Sequence, residues 1–170
     1  SELLGRWIRS TLSRLSMQYL DGGSMTEDGE RNEMYKKIAV PVDLFHVGDI
    51  TKALDVAADL AKHYGASLHF IGITAETPTA VAHNPQEFAQ KLDAFANKQA
   101  ESHGVIVSTG AHASTDPAID VDKVLLSAVV ESGADLVVMQ SHVPGISDYL
   151  WGSHGGHLAA HAEISVFVVR

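Results

Sequence analysis

Cysteine is absent from this chain. Its absence excludes disulfides, thiolate metal sites and a cysteine nucleophile, and it leaves the redox compartment unmarked. Positive charge is scarce as well: 12 Lys and Arg face 21 Asp and Glu, for a formal charge of −9. A field of that sign speaks against DNA or RNA as a partner. No window reaches the roughly 18 consecutive apolar residues of a membrane span. The N-terminus carries Arg6 but no continuous apolar core of a secretory signal, so a soluble cytoplasmic protein is expected. Three catalytic signatures are also missing. There is no GxxxxGK[ST] phosphate loop. Gly152-Ser153-His154-Gly155 lacks the glycine two residues before the serine that a nucleophile elbow requires. His157 and His161 have the spacing of HExxH, but Leu158 stands where the glutamate belongs.

What is present suits one domain with some extra length: 170 residues, 45% of them hydrophobic. Residues 1–19 place Leu3, Leu4, Trp7, Ile8, Leu12 and Leu15 on one face of a helix, with Arg6, Arg9 and Arg14 against Glu2. Such an amphipathic helix suits a membrane surface or a partner's groove, or it packs on its own domain. Residues 20–33 hold three Gly and five acidic residues against one Arg, the composition of a flexible acidic linker. A domain boundary near Met34 follows.

From there strands and helices alternate. Ile38, Val40 and Val42 give a short first strand, and Asp43 sits at its carboxyl end. A helix is predicted over 50–64 with Gly65 as its C-cap, a second strand over 67–74, and a second helix over 85–103 stopped by Gly104. A third strand begins at 105–107 and runs as far as His112. A third helix covers 121–132, capped by Asp116 or Asp120 and ended by Gly133. Residues 136–139 are a fourth, apolar strand; 140–151 read as a loop marked by Pro144 and Gly145. A short helix starts at Gly152-Ser153, and 166–169 form a fifth strand. This alternation predicts an α/β fold, a five-stranded parallel sheet with helices on both faces, Rossmann-like or flavodoxin-like. Right-handed crossovers leave few strand orders, and 3-2-1-4-5 is favoured. It places the switch point between the first and fourth strands, so Asp43 and the loop after Met139 face one crevice, where such sheets bind ligands. The loop also leads into a helix N-terminus, whose free N–H groups and dipole suit a phosphate.

MYKKIAVPVD at 34–43 and the closing ADLVVMQSH…GS…HA…SVFVVR resemble the two ends of the universal stress protein family. The resemblance covers 34–170 and none of 1–33. It implies the fold just argued, a homodimer formed through the last strand (164–169), and ATP or a related adenine nucleotide as ligand. The family's nucleotide signature is Gly, two residues, Gly, nine residues, then Gly-Ser or Gly-Thr. Here Gln140 and Val143 replace the first two glycines, eight residues separate Val143 from Gly152, and Gly152-Ser153 is intact. SHVPGISDYLWGS is similar to a bacterial subgroup in which those glycines are relaxed. A glycine lets the backbone approach phosphate without a Cβ, and Gly145 is placed to take over that part. Carried over by position, the resemblance implies that Pro41, Val42 and Asp43 line the adenine and ribose end and that Ile71 and Ile73 wall the base. Met139, Gln140, Ser141, His142 and Val143 lead into the phosphate loop, and Gly152, Ser153 and His154 hold phosphate at the last helix.

Between Val124 and Arg170 there is no lysine, so phosphoryl transfer lacks its usual cation and Mg²⁺ would have to neutralise the phosphates. Binding is favoured over turnover, with weak ATP hydrolysis as the upper limit and no catalytic residue assigned. His154, His157 and His161 share one side of a helix, but without a carboxylate they do not define a metal site. Glu131, Asp135 and Asp148 read as solvated surface charges. The rival reading is a nucleotide-free interaction module, tethered by residues 1–33 to a membrane or a membrane protein.

Overall fold

The computed structural model describes residues 34–141 and 154–170. The expected helix at 1–19, the linker at 20–33 and loop residues His142, Val143, Gly145, Gly152 and Ser153 lie outside the described residues.

Five strands form one sheet: β1 (Lys37–Val42), β2 (Ser67–Ala75), β3 (Val107–Ser114), β4 (Leu136–Gln140) and β5 (Ser165–Val169). Their order is β3-β2-β1-β4-β5, all parallel, as the alternation and the crossover rule predict. Ile38 to Val42 and Leu136 to Met139 are buried residue after residue, the mark of strands covered on both faces. Edge strand β5 instead alternates between exposed and covered positions.

The helices are α1 (Thr51–Tyr64), α2 (Pro85–His103), α3 (Pro117–Ser132) and α4 (His154–His161); a 3₁₀ turn, Val47–Ile50, precedes α1. Helix α1 buries Ala53, Leu54, Ala57, Ala58 and Ala61, a mostly small-residue face that lets it lie close to the sheet. It ends at Gly65, whose φ of 68° is the left-handed conformation that glycine adopts without a Cβ penalty. Helix α2 opens on Asn84, whose Oδ1 accepts from the N–H of Glu87 at 2.8 Å while Glu87 Oε2 accepts from the N–H of His83 at 2.8 Å. This reciprocal arrangement is close to a capping box.

Two elements differ from the sequence reading by two residues or more. Helix α3 starts at Pro117 rather than 121, because proline at the first helical position needs no N–H partner and has its φ preset. Asp116 takes the N-cap position without a side-chain cap bond, and Asp120 lies within the first turn. Strand β3 runs from 107 to 114, two residues later at each end than the 105–112 expected, paired with β2 from Leu68–Val107 to Ala75–Ser114.

The register fixes which side chains share a face. A Cβ on Gly72 would stand 2.8 Å from Phe88 Cε1, so the even positions of β2 face α2. Paired residues of parallel strands point the same way. Through the pairs Ile38–Leu68 and Ile38–Leu136, residues 38, 40 and 42 of β1 and 136, 138 and 140 of β4 share that face. Right-handed crossovers place α1 beside α2 there and α3 with α4 on the other face.

Candidate functional site

The pairing of β1 with β2 continues to Val42–Gly72, whereas that of β1 with β4 covers only Ile38–Leu136 and Ala39–Val137. The sheet therefore opens between β1 and β4 toward their carboxyl ends, where consecutive connections leave in opposite directions. This is the switch-point crevice of an open α/β sheet.

Asp43 stands at the end of β1 and is 6% exposed. A buried carboxylate needs partners, and its own turn supplies them. Oδ1 accepts from the N–H of Phe45 at 2.9 Å, and Oδ2 lies 2.9 Å from His46 Nδ1. The Asp43 carbonyl accepts from the N–H of His46 at 3.1 Å. Asp43 thus organises the turn into the 3₁₀ segment, and each carboxylate oxygen retains acceptor capacity for a further donor. The capping role and the ligand-facing role coexist in this one side chain.

By the register, Pro41, Ile71, Ile73, Met139, and, at the strand ends, Asp43 and Ser141 share the α3–α4 face. Pro41, Ile71, Ile73 and Met139 are buried, and Ser141 is held by its N–H donating to the Val169 carbonyl at 2.7 Å. Val42 and Gln140 turn to the opposite face. Gln140 Oε1 is enclosed there with no hydrogen-bond partner among the described residues. The structure therefore brings together six of the sequence-predicted positions and directs two away. His154 is the first residue of α4.

Two residues at this end escaped the sequence reading. His46 pairs with Asp43, and Phe45 beside it is 54% exposed despite its size. The signal was the three-residue spacing of Asp43 and His46, which a turn closes. Asp135, read as a surface charge, has a structural role at the opposite end of the sheet. Its carboxylate accepts from the N–H groups of Lys36 at 2.8 Å and Lys37 at 3.2 Å, tying the start of β1 to the turn before β4. On α4, His157 and His161 stack with ring centroids 4.2 Å apart, and His161 Nδ1 lies 2.8 Å from the His157 carbonyl. Among the described residues no group of three or more His, Cys, Asp or Glu is placed to hold a metal. No helix among them is long and apolar enough to cross a membrane.

The universal stress protein family model matches residues 34–170. Universal stress protein G of Shigella flexneri is 29% identical over 145 residues, covering 81% of this chain and 100% of that protein. Its counterpart in Salmonella typhi is 28% identical with the same coverage. Among solved structures, a universal stress protein in complex with cAMP superposes with a TM-score of 0.58 at 20% identity, over 81% of this chain and 98% of that one. The Archaeoglobus fulgidus universal stress protein in complex with dAMP gives 0.55 at 16% identity, over 81% and 99%.

Proposed function

The chain belongs to the universal stress protein family, and on that premise we propose that it is a cytoplasmic regulatory protein that binds ATP or a related adenine nucleotide, with Mg²⁺, as a homodimer. The observation that carries this reading is the opening between β1 and β4, with Asp43, Pro41, Met139 and Ser141 on a single face. Two proteins of the same fold were solved with cAMP and with dAMP, which supports an adenine nucleotide as the ligand class. Asp43 accepts hydrogen bonds from the ribose hydroxyls, and Pro41, Ile71 and Ile73 enclose the base. Val42 contributes main chain, because its side chain faces α1 and α2. The phosphates lie against the segment from Ser141 through His142, Val143 and Gly145 and at Gly152, Ser153 and His154, where the α4 N-terminus favours an anion. With no lysine after Lys123, the site holds a nucleotide rather than turning it over.

The loss of glycine at 140 is compatible with this reading, because the Gln140 side chain points away from Asp43. Bound phosphate selects one conformation of the 140–151 loop, and a partner reads it. The dimer forms through 164–169: β5 is an edge strand, and Phe167 on it is 45% exposed.

The test is to denature purified protein, chromatograph the supernatant for adenine nucleotides, and titrate refreshed protein with ATP and Mg²⁺ by calorimetry. A nucleotide in the supernatant, or saturable heat, supports the reading. Neither one leaves the nucleotide-free interaction module. Liposome co-sedimentation of the full chain against a form starting at Met34 then tests tethering by residues 1–33, and equal pelleting rules it out.

A further inference from the structure

A second cluster of chemistry lies at the β2–β3 edge, on the same face as Ile71 and Ile73. The register pairs His69 with Ser108, Ile71 with Gly110 and Ile73 with His112, so on the α3 face a glycine stands between two histidines. A Cβ built on Gly110 would lie 2.9 Å from His69 Nε2 and 3.2 Å from His112 Nε2. Both imidazole tips therefore converge on the space that the missing side chain leaves open. They can be no farther apart than the sum of those two distances. Two nitrogens on one tetrahedral metal stand roughly 3.3 Å apart, given metal–nitrogen bonds of about 2.0–2.1 Å. Metal binding would draw the two half-exposed rings together by side-chain rotation.

The protonation pattern is also set for a metal. His69 Nδ1 lies 2.8 Å from Ser108 Oγ, and that hydroxyl is placed to donate to the Leu68 carbonyl at 3.5 Å. A hydroxyl that donates there accepts from Nδ1–H, which leaves the lone pair on Nε2, facing Gly110. An outer hydrogen bond that fixes the tautomer in this way is the usual support of a metal-binding histidine. Beside His112, an open depression is lined by Lys123, Ser127 and Glu131 from α3. Lys37 and Lys123 oppose a cation and keep the affinity modest.

We propose that His69 and His112 form a two-imidazole site for a divalent transition metal ion over Gly110, completed by water. Imidazole ligands suit Zn²⁺, Ni²⁺ and Cu²⁺, with Cu²⁺ bound most tightly. The site uses residues other than those assigned to the nucleotide, although Gly110 and His112 pair with Ile71 and Ile73, and its test needs no nucleotide.

The experiment follows imidazole nitrogens by long-range ¹H–¹⁵N NMR on the full chain while ZnCl₂ is added. The expected result is a shift at Nε2 of His69 and His112 with Nδ1 of His69 retaining its proton. Calorimetry then compares variants. His112→Ala loses at least about tenfold in Zn²⁺ affinity, on the scale of the 10–100-fold seen even for outer-shell losses. Gly110→Ala keeps both imidazoles and has no strained φ, yet its methyl occupies the convergence point and weakens Zn²⁺ comparably. Shifts confined to other histidines, no shift at His69 and His112 in millimolar excess of Zn²⁺, or unchanged affinity in both variants would each overturn the proposal.

Discussion

Gly72 is a sharp test of how the sheet and α2 are fitted. It lies on central strand β2, with a would-be Cβ 2.8 Å from Phe88 Cε1, 3.0 Å from Phe88 Cζ and 3.1 Å from Leu92 Cδ2. Phe88 is 2% exposed and Leu92 0%, so neither has open space to retreat into. Gly72→Ala gains about 0.4–1 kcal/mol by restricting the unfolded chain. It loses about 1–3 kcal/mol by overpacking a close-packed interior. The clash wins, with a net loss of roughly 1–2 kcal/mol and a Tm drop of several degrees for a domain of this size. Urea unfolding should show a lower midpoint at unchanged m-value. Phe88→Leu removes the ring atoms that make the contact and costs under about 1.5 kcal/mol alone. The double variant should then be less destabilised than the two changes added, by about 1 kcal/mol of coupling. Strict additivity, or a Gly72→Ala protein as stable as the parent, would falsify the packing argument. On the proposed reading, in which Ile71 and Ile73 on the other face of the same strand enclose the base, nucleotide affinity should weaken in Gly72→Ala and recover in the double variant.

Asp43→Ala removes the acceptor for Phe45 and His46 and, on the proposed reading, for the ribose; calorimetry should find adenine-nucleotide binding weakened about tenfold or more, the scale of a lost hydrogen bond to a charged group. Asp135→Ala leaves the N–H groups of Lys36 and Lys37 without this acceptor and should cost about 1–3 kcal/mol, with faster amide exchange at both. Glu87, hydrogen-bonded by Lys91 and by His83, has its pKa lowered from 4.5 to about 2. A lowered carboxyl pKa stabilises above the unfolded value and is lost as pH falls from about 4.5 toward 2, so Glu87→Gln should flatten that part of a Tm-against-pH curve. Because this is a surface pair, added salt should shrink the difference. Gln140→Leu removes an enclosed acceptor without a partner among the described residues and should be neutral or stabilising by about 1 kcal/mol, with nucleotide affinity unchanged. A collapse of affinity there would show that the side chain reaches the ligand.

The strand order was legible because each step rests on strong local signals. Val40, Val42 and the 136–139 run are apolar without alternation, as strands buried on both faces must be, and Gly65, Gly104 and Gly133 each end a helix in the left-handed conformation. Strand β3 was harder to delimit. VSTGAHAS carries small and polar residues because it is an edge strand, so hydrophobicity does not mark its end. What marks it is pairing with β2, a contact 39 residues away in sequence at His69–Ser108. The start of α3 was hidden for a different reason: Pro117 reads as a breaker inside a helix and as a starter at its first position, and only the boundary itself tells which. Asp135 shows the same limit for charge. Nothing local to Ala134-Asp135-Leu136 announces two backbone donors from the start of β1.

The candidate site was legible in position more than in orientation. Spacing from the strand ends gathers Asp43, Met139 and Ser141 at one end of the sheet, where the strands place them. A signature counted along the chain cannot report that side chains alternate between faces, and this changes the weight of a lost glycine. At residue 140 the register turns the side chain toward α1, so a glutamine there does not fill the crevice beside Asp43. It carries instead a packing cost on the far face, visible as the unpartnered Oε1. Gly110 is the converse case. No signature includes it, yet its missing Cβ is what lets His69 and His112 approach one point. In both places the period of two along a strand, together with the partner strand's register, decides what a substitution does to a ligand. Identity at a motif position decides it only where that position faces the ligand.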